Sequence, residues 1–268
     1  IKYFTKFTYV NSTAIGNKVQ AINVSHGNKI MMDNCVFNNN SANVGRVIFI
    51  QNCKLVVIMH TVFEHNKILF NGGGCYISNS NYIVHKNNIF SHNEGKHGGG
   101  LYIRKAKYVL VTDTLFDHNK ASQNGGGFAA WNSDKLINKN NSFTNNRGKK
   151  GAGLYTGDCK HVLTTNTIFE YNKATKYGGG IIVKKSSGFV TYRNSTISYN
   201  VGYKYGGGMY NQRCTYITIV KTILEYNRVK QRRKNKGDEI SHGGGIYNRQ
   251  CKYIIVVNTN LEHNTGEW

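Results

Sequence analysis

The stretch Phe63-Glu64-His65-Asn66, followed by Gly72-Gly73-Gly74-Cys75-Tyr76, is one copy of a pattern that repeats along the chain. An apolar anchor stands three positions before an asparagine nine times, and successive anchors are 26 to 28 residues apart until a last interval of 37. The pairs are Phe37/Asn40, Phe63/Asn66, Phe90/Asn93, Phe116/Asn119, Phe143/Asn146, Phe169/Asn172, Ile197/Asn200, Leu224/Asn227 and Leu261/Asn264. A fixed period of about 20–50 residues indicates a repeat array.

Alignment on the anchors predicts the strands and turns of one repeat. The position seven residues before each anchor is always aliphatic, as in Val56, Ile83 and Val109, so it is expected to face a core. The positions three and two residues before the anchor are polar and rich in Asn and Asp, which favours a turn. A second strand follows the glycines, with an inward column of Cys75, Leu101, Phe128, Leu154, Ile181, Met209 and Ile246.

These columns predict an all-β fold, a single-stranded right-handed parallel β-helix. We expect about ten rungs of ~27 residues, each with three short strands, stacked at roughly 4.8 Å per rung. The right-handed winding of the β-helix follows the general rule that connections between parallel strands are right-handed. Phenylalanines should stack along the interior, and the asparagines should form a hydrogen-bonded ladder.

A column of small residues lies ten positions before the anchors. It contains Cys53, Cys159, Cys214 and Cys251, with Ser80, Ala106, Ser133 and Ser187 at the other repeats. Free cysteine behaves in such a position as a small hydrophobe. Cys214 and Cys251 would lie on adjacent rungs, within bridging distance but with side chains pointing the same way, so their pairing stays open.

The repeat predicts one β-helix domain over residues 1–268. It is still running at Leu261–Asn264, so we expect the chain to be part of a longer one. A basic loop over residues 228–242 is inserted in the penultimate rung, where the period rises to 37. The sequence has no signal-peptide pattern and no apolar run of 18 residues that would span a membrane.

The charge balance points towards polyanions. Thirty-five Lys and Arg against thirteen Asp and Glu give a net charge of +22. Such a charge attracts acidic polysaccharide, an anionic membrane surface, an acidic protein partner or, through charge alone, nucleic acid. The alternative is a solvated surface that only keeps the array soluble.

The two alternating motifs resemble the repeats of the chlamydial polymorphic outer membrane proteins. The resemblance rests on units such as Phe116-Asp117-His118-Asn119 with Gly125-Gly126-Gly127-Phe128, and it covers residues from about 35 to 264. It implies a secreted or surface-displayed passenger used in adhesion, and hence an extracellular or surface location. This chain departs from the family in its third glycine, where the family usually has alanine, and in its basicity.

Three surfaces are candidates for binding. The basic run of the inserted loop contains Arg228, Lys230, Arg232, Arg233, Lys234 and Lys236. A tyrosine stripe, expected to point outward and interrupted by Ala129 and Ile182, contains Tyr76, Tyr102, Tyr155, Tyr210 and Tyr247. Columns eight and six positions before the anchors are aromatic and aliphatic, as in Tyr82 and Val84. An apolar outer sheet face of this kind suggests self-association or contact with another chain.

Catalysis is the weaker interpretation. Glu225 and Glu262 follow consecutive anchors and would stack as a carboxylate pair, as a glycoside hydrolase or polysaccharide lyase requires. His65, His92 and His118 form a neighbouring column, yet no zinc spacing, catalytic triad or phosphate-binding glycine loop is present, and we predict no metal and no cofactor. Two hypotheses remain: a non-enzymatic surface or scaffold β-helix that binds a protein partner or anionic polymer, and a carbohydrate-active enzyme acting on an acidic polysaccharide.

Overall fold

The computed structural model describes residues 1–18, 20–42, 46–230 and 242–266. Their regular secondary structure consists of short β-strands, and no helix among them is long and apolar enough to cross a membrane. The strands in chain order are β1 (Lys2–Val10), β2 (Thr13–Ile15), β3 (Ile22–Asp33), β4 (Val36–Asn38), β5 (Ser41–Ala42), β6 (Ile48–Gln51), β7 (Leu55–Met59), β8 (Val62–Glu64), β9 (Lys67–Ile68), β10 (Cys75–Lys86), β11 (Ile89–Ser91), β12 (Glu94–His97), β13 (Leu101–Thr112), β14 (Leu115–Asp117), β15 (Lys120–Asn124), β16 (Phe128–Trp131), β17 (Lys135–Lys139), β18 (Ser142–Thr144), β19 (Arg147–Lys150), β20 (Leu154–Gly157), β21 (His161–Thr165), β22 (Ile168–Glu170), β23 (Lys173–Tyr177), β24 (Ile181–Lys184), β25 (Phe189–Arg193), β26 (Thr196–Ser198), β27 (Val201–Gly202), β28 (Met209–Gln212), β29 (Tyr216–Val220), β30 (Ile223–Glu225), β31 (Arg228–Val229), β32 (Ile246–Arg249), β33 (Tyr253–Val257), β34 (Asn260–Glu262) and β35 (Thr265–Gly266).

The strands form three parallel sheets that wind around one core. The first sheet has 16 strands in two columns, joined where β3, β10 and β13 run through both. The second has ten strands, in the order β2-β4-β8-β11-β14-β18-β22-β26-β30-β34, one from each rung, and the third has nine. The architecture of a parallel solenoid with three sheets and ~27 residues per turn is therefore confirmed. Most turns have four strand segments rather than the three expected, because the first sheet takes two strands from each of them.

The interior is built from in-register columns, as the sequence predicts. The aliphatic column seven positions before the anchors is buried from Val56 to Ile217, while Ile254 in the last described rung is exposed. Phe63, Phe90, Phe116 and Phe143 are inaccessible to solvent and stack with ring centroids 4.4 to 5.0 Å apart and ring planes within 4° of parallel. Stacking of equivalent rungs thus buries apolar surface that one rung alone leaves open.

The asparagine ladder is also confirmed, and it binds backbone as well as side chains. Asn119 Nδ2 donates to Asn146 Oδ1 at 3.1 Å and to the carbonyl of Phe90 at 2.8 Å. Its Oδ1 accepts from the backbone N–H and the amide of Asn93. Each ladder amide therefore satisfies polar backbone at a turn that is sealed from water.

Each rung bends at single residues in the left-handed conformation. Asn87, Asp113 and Asn140 have φ near +52°, at the position where the sequence predicts a turn. A similar bend two residues after the anchors uses His92 and Tyr199. A further bend, before the strand that follows each glycine triplet, requires glycine for two reasons. Gly98 has φ +60°, which side chains disfavour. A Cβ on Gly99 would clash with the carbonyl of Gly126 in the next rung.

The small-residue column is buried, with one correction. Ser186, not Ser187, occupies it, because this rung is one residue longer and Ser187 is exposed. The cysteines are free, and Cys53 Sγ donates to the carbonyl of Gln51. The Cys214–Cys251 bridge that the sequence leaves open is therefore not formed in this structure.

One interior column, otherwise apolar, has four polar residues that the repeat pattern does not predict. His85, Asn138, Thr164 and Tyr192 lie five positions before their anchors and are inaccessible to solvent. Burial lowers the pKa of His85 to about 3, so its imidazole is neutral. Tyr192 donates to Asn211 Oδ1 at 2.9 Å, whereas His85 Nε2, Asn138 Nδ2 and Thr164 Oγ1 have no hydrogen-bond partner among the described residues. The interior along the first sheet is therefore less apolar at these four rungs than elsewhere.

Candidate functional site

The basic run of the inserted loop is described only where it begins. Arg228 lies exposed on β31, and the backbone N–H of Lys230 donates to the carbonyl of Gly202 at 2.8 Å. Arg232, Arg233, Lys234 and Lys236 lie outside the described residues. The binding role of the run stays a prediction.

Arg228 belongs to a longer line of charge on the third sheet, which we call the cationic row. The row occupies the position four residues after the anchors and consists of Lys67, Lys120, Arg147, Lys173 and Arg228. All five are exposed. One carboxylate, Glu94, stands among them and pairs with Lys67 at 3.4 Å and Lys120 at 2.8 Å. The sequence register could have revealed this row, since its members share one spacing from the anchors.

A second group of cations adjoins the row. The pKa of Lys150 is lowered by burial and then by the nearby charges of Lys184, Lys176 and Lys149. Lys149, Lys176 and Lys184 therefore lie close enough to Lys150 for their charges to disfavour its protonated form.

The tyrosine stripe is not the exposed surface that the sequence led us to expect. Tyr76, Tyr102, Tyr155 and Tyr210 face away from the main core, but each is at most 6% exposed, and Tyr247 is half-buried. They form a second hydrophobic cluster. The reason is that the end of the third sheet, just before the glycines, packs over them.

The covering residues form a column of their own. In rung order they are His97, Asn124, Lys150, Tyr177, Tyr205 and His242. Tyr177 and Tyr205 stack on Tyr210 at 5.4 and 6.2 Å, and His97 stacks on Tyr102 at 6.0 Å. The stripe and its cover together make what we call the aromatic seam.

The candidate catalytic pair lies on the outward face of the second sheet. Glu225 and Glu262 are direct register partners, the first half-buried and the second exposed. Other carboxylates of this column are hydrogen-bonded across rungs: Ser198 donates to Glu170 at 2.9 Å, and Ser91 donates to Glu64 at 3.1 Å. The column therefore uses several of its acids to connect rungs, and catalysis by Glu225 and Glu262 stays a prediction.

An exposed ladder of rings runs beside that column. His65, His92 and His118 stack at 4.8 and 4.9 Å, and Tyr199 and Tyr226 stack at 4.9 Å with an interplanar angle of 2°. Stacking occupies the ring faces, so the ladder presents mainly ring edges to a ligand. Glu64, His65 and His92 bring ligand atoms to within 4.8 Å of one another.

The outer face of the first sheet is apolar along two columns. Tyr82 and Phe189 are 53% and 58% exposed, and Val84 and Leu110 are half-buried beside them. Both columns face outward, because the aliphatic column between them points into the core. Self-association through this face stays a prediction.

Comparison with known proteins supports the fold. A family model described as the right handed beta helix region matches residues 1–147 and 47–222. No curated protein and no solved structure matches the chain. The family match spans most of the chain and agrees with its parallel three-sheet solenoid. The chain belongs to the right-handed β-helix family.

Proposed function

We propose that this protein is a non-enzymatic surface or structural β-helix that binds an anionic polymer or an acidic protein partner along its third sheet. The cationic row is the observation that carries the proposal. Its members are held in register by backbone hydrogen bonds at roughly 4.8 Å per rung, so the charges form a line on a rigid support. A linear polyanion that follows the helix axis would meet three consecutive cations at Lys120, Arg147 and Lys173, while Glu94 and Val201 separate these from Lys67 and Arg228.

The neighbouring lysines strengthen this proposal. Lys149, Lys150, Lys176 and Lys184 concentrate charge at the edge of the row, and anions would lower their mutual repulsion. The resemblance of the repeats to the chlamydial polymorphic outer membrane proteins favours an adhesin-like role and an extracellular or surface-displayed location. The stripe tyrosines are mostly buried beneath the end of the third sheet, so they support that part of the binding surface by packing and do not contact the ligand along the whole stripe.

Charge reversal in the row tests the proposal. We expect the double variant Arg147→Glu/Lys173→Glu to elute from a heparin column at clearly lower salt than the wild type, since binding to a polyanion scales with the cations engaged. The matched control is Lys135→Glu/Lys139→Glu, which changes the net charge by the same four units on the exposed outer face of the first sheet. Arg232→Glu/Arg233→Glu/Lys234→Glu tests the basic run in the same way. Equal elution of the row variant and its control would overturn a role for the row.

The enzymatic alternative rests on the register pair Glu225 and Glu262. If the pair is catalytic, incubation with acidic polysaccharides should release reducing or unsaturated ends, and Glu225→Gln or Glu262→Gln should lower the rate at least 100-fold, on the order expected for a general acid or base. We expect no release from the wild type. Turnover that depends on both carboxylates would replace the binding proposal with an enzymatic one.

A further inference from the structure

The aromatic seam has one rung at which both of its columns are small. The stripe position there is Ala129, between Tyr102 and Tyr155 in register, and the covering position is Asn124. At the other interruption, Ile182, the covering residue is Tyr177, whose ring fills the seam. The stripe and cover positions of this rung therefore supply no ring, and the ring that packs into the seam there is that of Trp131, two residues after Ala129 on β16.

A surface hollow lies at this rung. Its volume is about 340 Å³, and it is lined by His97, Tyr102, Arg104, Asn124 and Trp131. The lining residues come from two adjacent rungs, the one that holds Tyr102 and the one that holds Ala129. The volume falls within the range of roughly 300–1,000 Å³ that is typical of small-molecule sites.

The aromatic lining suits a planar ring. Tyr102 and Tyr155 are two rungs apart, roughly 9.6 Å at the usual strand spacing. Trp131 stacks on Tyr155 at 5.5 Å with an interplanar angle of 21°, and its ring lines the hollow together with that of Tyr102. Stacked aromatic groups need only about 3.5 Å between faces, which favours a flat heterocycle over a thicker, puckered sugar ring.

The polar lining suits a base that carries an anion. Arg104 is exposed at the mouth, where its guanidinium can bind a phosphate with two parallel hydrogen bonds. Asn124 is almost buried and offers both a donor and an acceptor to the edge of a base. Burial, then the charges of Lys96 and Lys150, lower the pKa of His97 to about 4, so its neutral ring also offers one donor and one acceptor near pH 7.

We propose that this hollow is a nucleotide site, with the base stacked on the ring of Trp131, its polar edge on Asn124 and His97, and its phosphate on Arg104. The site does not depend on the polyanion binding proposed above, because a mononucleotide carries the base and phosphate that the hollow recognises. The same chemistry is present in a free nucleotide and in a nucleotide unit of a single strand.

The test is a titration of the purified protein, followed by tryptophan fluorescence and calorimetry. We expect AMP to bind saturably and to quench Trp131. Adenosine, which lacks the phosphate, and ribose 5-phosphate, which lacks the base, should each bind at least tenfold more weakly. An oligo(dA) 12-mer that binds much more tightly than AMP would identify single-stranded nucleic acid as the source, whereas equal affinity would identify the free nucleotide.

Two variants separate the parts of the site. Ala129→Tyr supplies the missing ring from the rung's own stripe position and is expected to lower AMP affinity at least tenfold without loss of the fold, checked by circular dichroism. Arg104→Ala should lower the affinity for AMP at least tenfold and leave the affinity for adenosine unchanged, while the control Arg193→Ala on β25 changes neither affinity.

The proposal is overturned by an absence of saturable AMP binding, by equal binding of ribose 5-phosphate, by unchanged AMP affinity in Arg104→Ala, or by glucuronate competing where AMP does not. If heparin retention fails and AMP still binds, the polyanion proposal alone is lost.

Discussion

Phe143→Ala is expected to lower the free energy of unfolding by about 3–5 kcal/mol. The ring is inaccessible to solvent and lies between Phe116 at 4.6 Å and Phe169 at 4.7 Å. Its removal opens a cavity in the middle of the ring stack. The adjacent rungs are held apart by parallel backbone hydrogen bonds, so they cannot collapse into the space.

Urea unfolding followed by far-ultraviolet circular dichroism measures this loss. The control is Ser142→Ala on the same strand, which is half-buried on the outward face and should change stability by no more than about 0.5 kcal/mol. A loss below about 1 kcal/mol for Phe143→Ala would show that the stack can repack, contrary to the column geometry.

Asn119→Ala is expected to destabilise the protein by about 3 kcal/mol or more. The side chain is buried, and its loss removes the donor to the carbonyl of Phe90 and the acceptor of the backbone N–H of Asn93. Asn146 Oδ1 keeps the backbone N–H of residue 119 as a donor. Each buried polar group left unpaired costs on the order of 1–3 kcal/mol, so the effects accumulate over one substitution.

Asn138→Val is the matched contrast, because Asn138 is an equally buried asparagine in a different column. Within the part of the chain that the structure describes, its Nδ2 has no partner, and its Oδ1 accepts from Asn141, which also donates to the carbonyl of Val111. We expect a change within about 1 kcal/mol in the same urea experiment, since replacing a poorly satisfied polar group by an apolar one is close to neutral. Equal losses of stability in Asn119→Ala and Asn138→Val would show that the hydrogen bonds of the ladder add nothing to the effect of burial.

Most of the fold could be predicted from the sequence because a solenoid repeats the same arrangement of strands and turns in every rung. Once Phe63 and Phe90 are recognised as equivalent, every other position acquires a register, and register fixes which side chains stack. The same reasoning missed the polar interior at His85 and Asn138. Those residues lie in a column that is apolar elsewhere. The inward face of the strand was assigned from the aliphatic column two residues earlier, so this column was not considered.

Surface properties were predicted less well, because they depend on neighbours outside one column. The tyrosine stripe was expected to be open, since strand alternation places Tyr102 and Tyr155 on the face opposite the core. Alternation cannot show that Tyr177 and Tyr205, which come from the third sheet, pack across that face. The cationic row was within reach of the sequence, and it was overlooked because the charge run of the inserted loop is more conspicuous.

The sequence by itself determined the repeat, the parallel three-sheet solenoid, the phenylalanine and asparagine ladders and the positions of the turns. These follow from side-chain periodicity and from hydrogen bonding between equivalent residues. Only the tertiary structure decided which outward residues remain accessible, because exposure depends on how the end of the third sheet closes over the first. That closure buries four tyrosines and leaves a hollow beside Ala129, where neither column supplies a ring.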